Sequence, residues 1–211
     1  MNRLIGYLLA LLFLIFPISG DGVEMPNGQP TQIRTKVRYD SKISGSFFAA
    51  AKWSYPWWIV QHEDGHIENT MGGTTDKKEL PKLKHTAKCF TSHQGEHWIR
   101  FCKATLNADG ALELFIHDES ASYWDNLRIL VKGGEFTSQY WTSYPGDKGD
   151  EGLIWTTISQ SLVLNKRNYR KGHEVRGRIK FTCLQEETNV KYNGRFTRSI
   201  TIKGVFQTEL E

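Results

Sequence analysis

Residues 62–66 read HEDGH, which fits the H-E-x-x-H pattern of zinc metalloproteases. That chemistry needs a helix, where two His four residues apart share a face and converge on one metal. Here the middle of the motif is Asp64–Gly65. Gly costs about 1 kcal/mol inside a helix relative to Ala, and Asp-Gly is a favoured two-residue hairpin turn. The flanks, WWIVQHE and HIENTM, read as strands. A two-residue turn sets Glu63 opposite His66 and His62 opposite Ile67, and strand alternation then points the two imidazoles to opposite faces. The expectation is a hairpin without a metal. His93 and His97 repeat the spacing around Gly95–Glu96, and the same count pairs His93 with Trp98 and separates these two His as well.

Counting outward from Gly95–Glu96 also brings Cys89 opposite Cys102, at a non-hydrogen-bonded pair where strands approach most closely. The sequence therefore predicts a Cys89–Cys102 disulfide, and Cys183 is left as a buried thiol alternating with Val175, Ile179 and Phe181.

Other groups have bland explanations. HDES at 117–120 gathers His, acids and Ser, but triad partners converge from different elements rather than from adjacent positions. Glu113, Asp118, Glu119 and Asp125 are possible glycosidase carboxylates without a recognisable spacing. The loop PGDKGDEG carries Asp147, Asp150 and Glu151, yet lacks the EF-hand spacing, and reads as solvated. No catalytic residue, metal or cofactor is assigned.

Two features suit binding. In VRGRIKF, Arg176, Arg178 and Lys180 alternate with apolar residues and share one strand face, a stripe suited to an anionic polymer. Aromatics cluster at WSYPWW and YWTSY. Neighbours on a strand face opposite ways, so one each of Trp57/Trp58 and Tyr140/Trp141 is a candidate sugar platform.

The elements that position these residues are strands. Short runs of strand-like composition fall at 33–39, 45–53, 57–63, 66–71, 86–94, 97–106, 111–117, 127–132, 135–143, 153–164, 173–184 and 195–208, with turn signals between them. Phe47 to Trp53 also suits a helical turn. An antiparallel β-sandwich, jelly-roll-like, is expected, with a β-barrel second.

Residues 1–20 have a basic start, an apolar run at 4–16 and small residues after it, the layout of a secretory signal peptide. Residues 21–32 read as a flexible lead-in and 33–211 as one domain. Lys plus Arg number 27 against 23 acids, too mild an excess to argue for nucleic acid. The expected protein is a secreted or periplasmic, non-enzymatic binding module for carbohydrate or another extracellular polymer. A glycan-acting hydrolase and a barrel carrying an apolar ligand are the alternatives.

Overall fold

The computed structural model describes residues 33–72, 80–93, 95, 97–119, 124–143, 153–189 and 194–211. Residues 1–32, where the leader and lead-in are expected, the loop 145–152, Ser120, Tyr123 and Tyr144 lie outside the described residues. The strands are, in chain order, β1 (Thr35–Lys36), β2 (Arg38–Tyr39), β3 (Trp53–Ser54), β4 (Ile59–Gln61), β5 (Ile67–Asn69), β6 (Leu83–Lys84), β7 (Ala87–Thr91), β8 (His97–Ile99), β9 (Phe101–Leu106), β10 (Leu112–Glu119), β11 (Trp124–Lys132), β12 (Glu135–Ser143), β13 (Leu153–Leu164), β14 (Glu174–Asn189) and β15 (Gly194–Glu209).

They form an all-β sandwich. One sheet has the order β1-β12-β11-β10-β9 and the other β2-β13-β14-β15-β7-β8, with two small hairpin-like pairs, β3-β6 and β4-β5, beside them. Within the described sheets pairing is antiparallel except where β2 joins β13, and a single parallel bridge links Ala104 to Leu210. Neither large sheet closes on itself.

Turn chemistry places the meanders. Between β11 and β12, Lys132 pairs with Glu135 across Gly133–Gly134, both at positive φ (60° and 81°). A two-residue turn with both centres left-handed matches the twist of the strands, and only Gly adopts it without steric cost.

Alternation builds the core. Leu114, Ile116, Leu127, Ile129 and Phe136 point inward from the five-stranded sheet. Leu162, Ile179, Phe181, Ile200, Ile202 and Phe206 meet them from the six-stranded one. Burying each such side chain is worth about 1.5–3 kcal/mol, against roughly 0–1 kcal/mol for an exposed ion pair. The interior therefore dominates stability.

The chain passes between the sheets at two bends. Val37, buried, separates β1 from β2 and so joins β12 of one sheet to β13 of the other. Arg100 separates β8 from β9. Its carbonyl accepts from both Thr86 N (2.9 Å) and Ala87 N (2.8 Å), which fixes the bend. On the β12–β13 side, Gln160 and Thr157 side chains donate to the carbonyls of Phe136 (3.3 Å) and Ser138 (3.4 Å), which ties the edge of one sheet to the other.

Three expectations need correction. The HEDGH hairpin forms, but its loop has three residues, not two. His62 N donates to His66 O (2.9 Å), and Gly65 takes φ 82°. The register moves by one, to Gln61 opposite Ile67. His62 and His66 thus face each other on the same side, their rings stacked at 5.6 Å. They stack rather than converge, and His62 Nε2 is taken by Glu68 Oε2 at 2.9 Å.

The second hairpin is likewise displaced. Thr91 pairs with His97 and Cys89 with Ile99. Cys102 lies past the Arg100 bend, in the other sheet, opposite Ile116. The expected Cys89–Cys102 disulfide is therefore absent, and Cys89, Cys102 and Cys183 are free and buried. Burial pushes the thiols of Cys89 and Cys183 up to about 12.

Finally, the 45–53 run is not a strand. It holds a 3-10 turn at Ser46–Phe48, and only Trp53 joins a ladder.

Candidate functional site

The outer face of the six-stranded sheet is built by β14 and its neighbours. Alternation sends Val175, Ile179, Phe181 and Cys183 into the core and leaves Arg178 and Lys180 exposed outside. Arg176 shares their face but is held by Glu174 (2.7 Å) and by the carbonyl of Ile43 (3.0 Å).

Register then extends the stripe across the sheet. Lys180 lies between Ser161 and Lys203, and Lys203 faces Phe90, which pairs with Trp98. One step along, Val163 faces both Arg38 and Arg178, Arg178 faces Val205, and Val205 faces Lys88. Arg38, Lys88, Arg178, Lys180 and Lys203 are all exposed. They come from four strands, spaced about 5 Å between neighbouring strands and about 7 Å along each.

Among the described residues none of these five forms an ion pair. Lys180 and Lys203 sit directly opposite each other, a like-charge pairing that costs stability. Lys88 lies over the Trp98 ring at 5.5 Å and Lys203 over Phe90 at 5.8 Å. Trp98 is 52% exposed and meets Phe90 edge-on at 5.6 Å. The face thus offers unneutralised cations around an exposed aromatic ring.

The expected aromatic platforms fall elsewhere. Tyr140 is 1% exposed, on the inner face of β12, so it presents nothing to a ligand. Trp141 is on the outer face of the five-stranded sheet, half-buried and stacked on Phe115 at 5.9 Å. Trp57 and Trp58 are both half-buried and contact each other edge-on at 5.8 Å. Trp98, which no sequence pattern singles out, joins this face through the β7–β8 ladder, and its position next to the buried Ile99 is the local sign that it points outward.

The acids and histidines converge on structure. Asp125, on the inner face of β11, takes His93 Nδ1 (3.1 Å), His97 Nε2 (2.7 Å) and the Tyr140 hydroxyl. This corrects the expectation that His93 and His97 diverge. Burial alone would raise the Asp125 pKa, but these three donors hold it at about 2. Asp118 accepts two hydrogen bonds from Arg100 (2.9 and 2.8 Å), and Glu113 two from Arg128 (2.9 and 2.7 Å). All three carboxylates are committed to internal partners. His117 lies between Phe101 and Phe115, and burial and Lys103 lower its pKa to about 4, so it is neutral.

Among the described residues no cluster of three His, Cys, Asp or Glu is arranged to hold a metal ion, and no helix is long and apolar enough to cross a membrane. Set against protein-family models, curated proteins and solved structures, the chain matches none.

Proposed function

We propose that this chain is a non-enzymatic binding module for an anionic polymer, an acidic glycan, bound on the outer face of the six-stranded sheet. One observation carries the reading: five exposed cations from four strands share that face with no ion-pair partner among the described residues. Facing lysines cost stability in the free protein, and a polyanion laid across them removes that cost. The signal-peptide-like layout of residues 1–20 supports a ligand met outside the cytoplasm. A glycan hydrolase is disfavoured because Glu113, Asp118 and Asp125 are each tied to basic or hydroxyl donors. An apolar carrier is disfavoured because the space between the sheets is filled by side chains.

The test is retention on immobilised dextran sulfate, polygalacturonate and neutral dextran across a salt gradient, with duplex DNA as a competitor. Expected is binding to the two acidic polymers that weakens as screening shortens from about 10 Å at 0.1 M to about 3 Å at 1 M salt, and none to dextran. The Arg178→Ala/Lys180→Ala/Lys203→Ala variant should elute early. Unchanged retention of that variant, or DNA competing at equal charge, would overturn the assignment.

A further inference from the structure

The basic face ends in a cleft of about 230 Å³ where Lys88 and Trp98 turn toward the Arg100 bend. Its aromatic walls include Phe47, 55% exposed and presented by the 3-10 turn, and Trp98. Its polar rim is Lys52, His85, Lys88 and Arg100. The frame is fixed by main-chain bonds: His85 N donates to Lys52 O at 2.9 Å, and the Arg100 carbonyl holds Thr86 and Ala87.

The cleft is cationic. The acid that bonds one of its basic groups, Asp118, takes the Nε and Nη2 hydrogens of Arg100. Arg100 Nη1 makes no hydrogen bond to any described residue. Lys52 and Lys88 are exposed ammonium groups without ion pairs among the described residues. His85 is kept below its ordinary pKa by burial and by Arg100 and Lys52, so at neutral pH it adds a polar wall and no charge.

We infer that this cleft holds one uronic-acid ring, the end residue of the acidic glycan whose chain continues over Lys88 onto the basic face; the inference rests on the polymer-binding reading above. The apolar face of a pyranose packs on an aromatic ring such as Trp98 or Phe47. A carboxylate meets Lys52, Lys88 and the spare Nη1 of Arg100. The size argues for a single ring, since pockets that enclose drug-sized ligands run to about 300–1,000 Å³. It also favours a compact carboxylate over a bulkier sulfate ester.

The probe is digalacturonate, too short to span the sheet, with its methyl ester as the neutral control. Binding is followed by tryptophan fluorescence and by NMR of the indole and imidazole resonances. Digalacturonate should shift the Trp98 and His85 signals, and the methyl ester should not. Lys52→Ala and Trp98→Ala should each weaken binding at least about tenfold, Trp98→Phe should keep most of it, and Lys36→Ala, an exposed lysine on the other sheet, should leave it nearly unchanged. If digalacturonate fails to bind, or binds Lys52→Ala and Trp98→Ala as it binds the parent, while dextran sulfate still binds the face, the cleft assignment is wrong and the polymer reading stands. If dextran sulfate and polygalacturonate fail as well, both are wrong.

Discussion

His97 donates from Nε2 to Oδ2 of Asp125 at 2.7 Å, which ties the β7–β8 hairpin of one sheet to the inner face of the other. Asp125 is buried, and His97 is about a quarter exposed at its side chain. The contact gives stability a defined pH dependence. The hydrogen bond that His97 donates to Asp125 raises the His97 pKa above the ordinary value of 6.5, against the pull of burial. Its contribution is complete below 6.5 and is lost as pH rises through the raised value. Asp125, held at about 2 against an ordinary 3.8, contributes fully above 3.8 and loses that contribution as pH falls toward 2. The melting temperature should therefore be highest between about pH 4 and 6.5. Thermal scans of Asp125→Asn should show both limbs flattened. An identical profile in the variant would disprove the role of this pair.

Removing the carboxylate outright takes one partner from two imidazoles and from the buried Tyr140 hydroxyl. Asp125→Ala should cost about 3–5 kcal/mol, the range for a broken buried ion pair. Urea denaturation at pH 6 measures it, and a loss under 1 kcal/mol would count against the arrangement.

Gly204 and Gly177 differ in what presses on them. A Cβ on Gly204 would lie 2.2 Å from the Lys88 carbonyl and 2.4 Å from the Cys89 Cα, both backbone. Gly204→Ala should cost about 3 kcal/mol, the upper end for an overpacked core. At Gly177 the obstacle is the Phe206 ring, 2.2 Å away. There a second change, Phe206→Leu, should recover part of the loss, and a double-mutant cycle reads that coupling.

The three thiols should be silent to an aqueous thiol reagent in the native protein. All three should react once it is denatured without reductant, because no described pair forms a bridge. Only one thiol reacting after denaturation would reveal a disulfide.

Lys203→Glu separates stability from binding. It turns the facing lysines into a cross-strand ion pair with Lys180, a gain of about 0.2–1 kcal/mol. The variant should melt slightly higher and lose affinity for acidic polymers. Loss of both together would mean that Lys203 is structural.

Strand positions were legible because period-two alternation is strong here: the run at 135–143 matches β12, and 153–164 matches β13. Loop lengths were not. A two-residue Asp64–Gly65 turn and a three-residue loop ending in left-handed Gly65 place the same Gly at positive φ, and only tertiary packing selects between them. One residue of slip decides whether His62 and His66 share a face. The bend at Arg100 was hidden for a similar reason, since 97–106 reads as one strand; consecutive buried residues at Phe101 and Cys102 mark where its alternation breaks. Arg178 and Lys180 were legible as a stripe on a single strand. Lys88, Lys203, Arg38 and Trp98 were not, because they join the face through ladders between distant segments.

The bend at Val37 also sets an order of events. β1 pairs with β12 and β2 with β13, each about a hundred residues or more further along the chain. Closing loops of that size is entropically costly before any contact rewards it, whereas β9 to β12 pair with immediate neighbours. Strand β2 closes the longest loop among the described ladders, and a nascent chain carries Val37 exposed until β13 exists to receive it.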